Sequence, residues 1–165
     1  MSLYYFAYGS NMNQARMLAR GLEYRRALAG RLPDLALAFN KQASDAPHRA
    51  YANVVYAPGQ VVEGVLYELV SLDEIRKMDP FEGAPRRYSR EIYRIQTVEG
   101  DIPAWVYVAN RAMIRSGLKP ETWYLQHLLA GSEFLTDGYR AFLAGVECCD
   151  QHDPVPVPAC QGRNS

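Results

Sequence analysis

The chain has 165 residues and a formal net charge of zero, with 18 lysines and arginines against 18 aspartates and glutamates. Its length and its composition of 48% hydrophobic and 22% charged residues predict one globular domain and argue against disorder of the chain as a whole. Charge neutrality argues against a broad basic surface for nucleic acid. The sequence has no apolar run of about 18 residues, the length that a membrane span needs. We therefore expect neither nucleic acid nor a membrane as a partner.

The first predicted elements are a short buried strand and a helix. The strand covers Leu3 to Ala7 and ends at Gly9. The helix is expected from Asn11 to about Arg20, with Gly21 as its C-terminal stop. Helical spacing predicts an inward face made of Ala15, Leu18, Ala19 and Leu22.

Strands are predicted to dominate the middle of the chain. Residues Ala27 to Phe39 predict two strands, broken at Leu32-Pro33-Asp34. Tyr51 to Tyr56 and Val61 to Val70 predict a hairpin, because Ala57-Pro58-Gly59 is typical of a turn.

A short helix is expected next. Ser71 and Glu74 fit a capping box at its start, and the helix is expected to end before Pro80. Its inward residues are predicted to be Leu72, Ile75 and Met78.

The last part of the predicted domain combines a hairpin and two helices. Tyr88 to Val98 and Ile102 to Ala109 flank a turn at Glu99-Gly100-Asp101. Pro120 opens a helix and Asp137 caps the final one. Their apolar residues are Leu125, Leu128 and Leu129 in the first, and Leu135, Tyr139, Phe142, Leu143 and Val146 in the second. Hairpin connections predict an α+β fold whose antiparallel or mixed sheet can curl into a barrel.

The composition changes after Glu147, so we predict a domain over residues 1–147 and an extended or disordered tail over 148–165. The three cysteines indicate no disulfide framework, and the N-terminus lacks a secretory signal, so a cytoplasmic protein is expected. Metal ligation by Cys148, Cys149 and His152 is disfavoured, because no second ligand pair lies at zinc-like spacing. The cysteines are Cys148, Cys149 and Cys160.

The most distinctive motif is Tyr8-Gly9-Ser10-Asn11-Met12, where the first strand gives way to the first helix. Gly9 permits a tight turn, and Ser10 or Asn11 can cap the helix. Backbone N–H groups at a helix start favour an anion such as a carboxylate. Two interpretations stay open, an anion site or ordinary turn chemistry. The motif does not match dinucleotide, phosphate-loop or serine-hydrolase patterns.

Glu82, within Met78-Asp79-Pro80-Phe81-Glu82-Gly83, is the second candidate. Beside Phe81 it could lie in a partly apolar pocket that raises its pKa and makes it a base near neutrality. A solvated loop glutamate is the alternative, and Asp79 is interpreted as a turn former. The nearby arginines could bind a carboxylate, although a solvated strand edge is preferred; they are Arg86, Arg87 and Arg90.

Tyrosines are the third feature. The chain has 12 of them, and several lie at strand ends or on a helix opening, where a phenol can pack its ring and still offer its hydroxyl. These are Tyr8, Tyr88, Tyr107 and Tyr124.

Together these segments resemble the gamma-glutamylcyclotransferases, through YFAYGSNM, VEGVLYEL and the FEG that follows a short helix. The resemblance runs from about Leu3 to Glu147. It implies a small mixed barrel with flanking helices and one cavity, with Glu82 as the acid and base. It also implies substrate-binding roles for Tyr5, Phe6, Ala7, Tyr8, Gly9, Ser10, Asn11, Tyr88 and Tyr124.

The implied reaction is the intramolecular cyclisation of a small γ-glutamyl substrate, as in glutathione metabolism, which releases 5-oxoproline and a free amino acid or amine. The substrate's own α-amine is the nucleophile, so no protein nucleophile is required. No cofactor and no metal is expected. Alternatives are a cyclotransferase for γ-glutamylamines or for a biosynthetic intermediate, a non-enzymatic carboxylate-binding module, and an interaction protein that works through Pro154 to Pro158. The oligomeric state is open, with a homodimer as one candidate.

Overall fold

The computed structural model describes residues 3–150 of the chain. Within that range the strands are β1 (Tyr4–Ala7), β2 (Tyr24–Gln42), β3 (Ala50–Leu69), β4 (Tyr88–Thr97) and β5 (Gly100–Ala109). The α-helices are α1 (Gln14–Ala19), α2 (Asp73–Glu82), α3 (Thr122–Leu129) and α4 (Asp137–Ala144).

The five strands form a closed barrel in the order β1-β3-β2-β4-β5. Neighbouring strands pair antiparallel, except that β1 and β5 pair in parallel at Tyr5 and Trp105 and so close the barrel. This confirms the predicted α+β fold with a small mixed barrel. The predicted hairpin of β4 and β5 is also confirmed, with Gly100 at a φ of 102° in its turn.

Strands β2 and β3 are each longer than predicted, because each joins two segments that were expected to be separate. The register between them shifts between Pro33 and Leu35, where residues 57–60 bulge from β3. The Gly59 N–H donates a hydrogen bond of 3.0 Å to the side chain of Asp34. The hairpin predicted at this turn is therefore wrong, and the turn motif forms a bulge inside one continuous strand.

The first predicted helix is wrong in its start and in its buried face. Ser10–Met12 forms a single 3-10 turn, and α1 begins only after Asn13, whose side chain accepts a hydrogen bond from the Ala15 N–H at 3.1 Å. The helix has six residues and buries only Met17 of them. Of the predicted inward residues, Leu22 is buried and lies just after the helix, whereas Ala15, Leu18 and Ala19 are exposed. Met12, just before the helix, is also buried. Gly21, at a φ of 72°, is the predicted stop.

Helix α2 passes through Pro80 instead of ending before it. Pro80 is exposed in the last turns, where one missing backbone hydrogen bond is tolerated. The helix ends at Gly83, whose φ is 63°. The predicted capping box does not form, because the buried Glu74 carboxylate accepts from the Glu23 N–H at 2.9 Å. Ile75 and Met78 are buried as predicted, and Leu72 is half-buried.

The extended helix has a direct consequence for the site. Glu82 lies in the last turn of α2, so it does not belong to a loop. Asp79 is likewise a helix residue, and its carboxylate accepts from the Tyr107 hydroxyl at 2.7 Å and pairs with Arg90 at 3.0 Å. The interpretation of Asp79 as a turn former is wrong.

Helices α3 and α4 follow the prediction closely. Leu125, Leu128 and Leu143 are buried, and the cap of α4 is Thr136, one residue before the predicted Asp137. No helix within residues 3–150 is long and apolar enough to cross a membrane.

The first residues of the predicted tail contact the start of α3. Cys148 is buried, and the Cys149 N–H donates to the Pro120 carbonyl at 2.9 Å. His152, Pro154 to Pro158 and Cys160 lie outside the described residues.

Candidate active site

Two adjoining cavities meet beside Glu82, where β1 ends. We call the smaller one, of about 40 Å³, the inner cavity, and the larger one, of about 170 Å³, the outer cavity. They share Ser10, Glu82, Tyr88 and Tyr124, so a single ligand can occupy both.

The inner cavity brings together eight of the ten site residues predicted from sequence: Tyr5, Tyr8, Gly9, Ser10, Asn11, Glu82, Tyr88 and Tyr124. Phe6 and Ala7 are buried and do not line it. Phe6 points into the barrel, where a Cβ added at Gly64 would lie 2.9 Å from its ring. Alternation along β1 accounts for Phe6, since successive side chains point to opposite faces and Phe6 lies opposite Tyr5. Ala7 shares the face of Tyr5 but does not line the cavity.

The loop after β1 contributes Gly9, Ser10 and Asn11 to the lining of the inner cavity. The 3-10 turn is closed by bonds from the Met12 N–H to the Gly9 carbonyl at 3.0 Å and from the Asn13 N–H to the Ser10 carbonyl at 3.2 Å. The N–H groups of Ser10 and Asn11, at the start of this turn, have no acceptor within it. They are therefore suited to a carboxylate.

Two buried tyrosines are fixed against the backbone of one residue of β3, Ala52. The Tyr124 hydroxyl accepts from the Ala52 N–H at 3.0 Å, and the Tyr88 hydroxyl donates to the Ala52 carbonyl at 2.8 Å. A Cβ at Gly9 would lie 3.0 Å from the Tyr124 hydroxyl, so glycine lets the loop approach it closely. Burial raises the pKa of both phenols, which therefore stay neutral.

The other side of the inner cavity is held by a polar network. The side-chain Nδ2 of Asn11 donates to the Tyr5 hydroxyl at 3.2 Å, and the side-chain Oδ1 of Asn11 accepts from the Arg20 guanidinium at 2.9 Å. The Tyr8 hydroxyl donates to the backbone carbonyl of Tyr107. These bonds link Tyr5 of β1, Asn11 of the 3-10 turn and Arg20 at the end of α1, and they attach Tyr8 to the backbone of β5.

Glu82 is the carboxylate at the junction of the two cavities. Burial raises its pKa above the ordinary glutamate value, and the nearby positive charges of Arg20, Arg16 and Lys41 oppose the rise in that order. Among the described residues, none hydrogen-bonds to its carboxylate or forms an ion pair with it. A partly desolvated carboxylate without a partner is suited to exchange protons with a ligand.

The outer cavity contains cationic residues that the sequence reasoning did not assign to the site. Arg16, Arg20, Lys41 and Arg87 all line it. The spacing of Arg16 and Arg20, four residues apart just after the motif, could have indicated the first two. Lys41 is distant in sequence and had no local signature.

The three arginines after Glu82 have different positions. Arg86 is exposed outside the cavities, and Arg90 pairs with Asp79 and lies over the Trp105 ring at 5.0 Å. Arg87, which was interpreted as part of a solvated strand edge, lines the outer cavity.

Comparison with known proteins bears on the family of the chain. The family model described as "Gamma-glutamyl cyclotransferase, AIG2-like" matches residues 5–126. A solved structure described as "Gamma-glutamyl cyclotransferase" is 25% identical, with a TM-score of 0.79 over 94% of each chain. The human uncharacterized protein loc79017 is 25% identical, with a TM-score of 0.78 over 93% of this chain and 92% of that one.

Other matches bear on the fold alone. A yeast structure described as a gamma-glutamyl cyclotransferase specific to glutathione is 15% identical, with a TM-score of 0.60 over 86% of this chain and 93% of that one. No curated protein matches the sequence.

Proposed function

This chain belongs to the gamma-glutamyl cyclotransferase, AIG2-like family, and we propose that it converts a γ-glutamyl amide into 5-oxoproline and a free amine or amino acid. The observation that carries the proposal is the position of Glu82. Its carboxylate has no partner among the described residues and lies between the cavity beside the β1 loop and the larger, cation-lined cavity.

The inner cavity is suited to the glutamyl group. Its α-carboxylate would accept hydrogen bonds from the N–H groups of Ser10 and Asn11. The neutral tyrosines Tyr88 and Tyr124 would pack along the chain of the glutamyl group and hold it folded. Folding brings the α-nitrogen to the γ-carbonyl carbon, and an enclosed site promotes this intramolecular attack by fixing its geometry.

In the proposed reaction, Glu82 moves protons between the two nitrogens. It accepts a proton from the α-ammonium, and the resulting amine attacks the γ-carbonyl to form the C–N bond of the five-membered lactam. The C–N bond to the leaving amine then breaks as Glu82 returns a proton to that nitrogen. In total, two protons pass from the α-nitrogen to the leaving nitrogen, and the carboxylate is regenerated. No water is consumed.

The test is product identification with γ-glutamylalanine. We expect equal amounts of 5-oxoproline and alanine. Free glutamate in place of 5-oxoproline would indicate a hydrolase and contradict the proposal. Binding without turnover would favour a carboxylate-binding module, although such a module gains nothing from an unpaired carboxylate beside its ligand.

Replacing Arg20 with glutamine is expected to move the acid limb of the pH profile of kcat/KM to higher pH. A base must be ionised, so the rate falls as the pH falls through the pKa of Glu82, which burial holds above the ordinary value of about 4.3. The charge of Arg20 opposes that rise, so its loss raises this pKa further.

The measurement is the pH dependence of 5-oxoproline release between about pH 4 and pH 9. The matched control is R25Q, because Arg25 is exposed and lies outside both cavities. A limb that stays in place in R20Q, or moves to lower pH, would contradict the assignment of Glu82 as the base.

A further inference from the structure

We infer that the outer cavity is a binding subsite for an anionic leaving group, one that carries two negative charges as two carboxylates or as one phosphate. This inference rests on the proposed function and concerns the part of the substrate that departs as the amine. It distinguishes substrates whose leaving group is an acidic amino acid from γ-glutamyl derivatives of simple amines.

The first argument is the imbalance of charge in the outer cavity. Four cationic side chains line it together with a single carboxylate, that of Glu82. Within residues 3–150, none of the four forms an ion pair with an acidic side chain. Cationic side chains gathered in a cleft without counter-charges attract an anionic ligand.

The second argument is the position of Lys41. This lysine is only 2% exposed, and its ammonium group lies over the rings of Tyr51 at 5.3 Å and Tyr88 at 5.7 Å. Burial lowers its pKa, the charge of Arg87 adds to that shift, and the charges of Glu82 and Asp45 oppose it. Among the described residues, no carboxylate lies within 4.0 Å of the ammonium group. A buried charge is costly unless it is paired, so an anion bound in the cavity would offset that cost.

The third argument is that Arg20 and Arg16 are also held in place. The Arg20 guanidinium lies over the Phe81 ring at 4.8 Å and donates to Asn11. The Nη1 atom of Arg16 lies 3.4 Å from Nε2 of His127, and its buried Nε atom has no hydrogen-bond partner among the described residues and is available to a ligand. Side chains held in this way lose little further freedom when an anion binds. Arg87 is exposed, and its stem passes over Gly83, where a Cβ would lie 2.5 Å from its Cδ atom.

Charge balance indicates how acidic the leaving group is. The glutamyl head brings one carboxylate and one ammonium, so it leaves the charge of the site unchanged. Ionised Glu82 offsets one of the four cations, and three remain. A neutral leaving group would leave all three cations without a counter-charge. A leaving group with two negative charges would leave only one cation without a counter-charge.

The test compares kcat/KM for γ-glutamylethylamide, γ-glutamylalanine, γ-glutamylglutamate and γ-glutamyl-O-phosphoethanolamine. We expect about a tenfold increase for each negative charge on the leaving group, because hydrogen bonds between charged groups contribute more than neutral ones. The last two compounds distinguish carboxylates from a phosphate. A wild-type preference for the ethylamide would overturn the subsite.

Variants locate the effect in the cavity. In K41M and in R87Q, the ratio of kcat/KM for γ-glutamylglutamate to that for γ-glutamylethylamide is expected to fall about tenfold. The matched control is R86Q, because Arg86 is an exposed neighbour outside the cavities and its loss should leave the ratio as in the wild type. If this ratio of kcat/KM values stays unchanged in both K41M and R87Q, the proposed subsite is overturned. Release of 5-oxoproline by the same variants would still support the proposed reaction. No 5-oxoproline from any of the four compounds would overturn the proposed function, and the subsite with it.

Discussion

Replacing Glu82 with glutamine is expected to lower 5-oxoproline release by about a thousandfold, within the range that general acid–base catalysis contributes. Glutamine has the same shape as glutamate and can occupy the same space at the end of α2. It cannot accept the proton of the α-ammonium or return one to the leaving nitrogen. The measurement is single-turnover formation of 5-oxoproline from γ-glutamylalanine, which separates the chemical step from product release.

The same variant is expected to keep the fold and to unfold at an equal or higher temperature at neutral pH. Since burial raises the pKa of Glu82, its ionisation opposes folding. That cost is absent below the pKa that Glu82 has in the unfolded chain, about 4.3. It increases as the pH rises through the higher pKa that Glu82 has in the folded protein. The advantage of E82Q should therefore disappear in acid.

The control for both measurements is E23Q, because Glu23 is exposed and lies outside both cavities. It should retain wild-type turnover. Retained turnover in E82Q would exclude Glu82 as the proton carrier.

The parts of the fold that could be predicted from the sequence are those set by local chemistry. The turn at Gly100 requires a positive φ that glycine adopts easily, so the hairpin of β4 and β5 was predicted. The first strand also ends before the motif Tyr8 to Asn11 as predicted, although a 3-10 turn follows it in place of the predicted helix.

The errors arose where long-range pairing outweighed local preference. Ala57-Pro58-Gly59 is typical of a turn, yet pairing with β2 on both sides holds it as a bulge. Pro80 would ordinarily end a helix, but it lies exposed in a helix whose buried side packs against the barrel. In both places tertiary contacts decide the outcome.

The candidate site shows the same division. The resemblance indicated the loop after β1 and Glu82, because both lie in recognisable local motifs. Lys41 follows no such motif, since it reaches the outer cavity only through the pairing of β2 in the closed barrel. The charge of that cavity, and with it the inference about the leaving group, could come only from the three-dimensional structure.

Replacing Gly64 with alanine is expected to destabilise the barrel by about 3 kcal/mol, at the upper end of the usual cost of overpacking a core. The added Cβ would lie 2.2 Å from the backbone carbonyl oxygen of Ala7 and 2.9 Å from the ring of Phe6. A backbone atom of β1 cannot move aside as the end of a flexible side chain can, so β1 itself must shift. Since Ala7 is followed directly by the loop of Tyr8 to Asn11, the shift would also displace the N–H groups assigned to the substrate carboxylate.

Two measurements follow from this geometry. For a domain of this size, a loss of about 3 kcal/mol corresponds to a melting temperature about 10 °C lower, and we expect 5-oxoproline release in the folded fraction to fall about tenfold or more because the loop is displaced. The matched control is G138A, the same substitution in α4, where a Cβ has no atom within 4 Å. It should stabilise the protein by about 0.5 kcal/mol, because alanine favours a helix over glycine. Equal melting temperatures for G64A and the wild type would show that β1 does not approach β3 as closely as described.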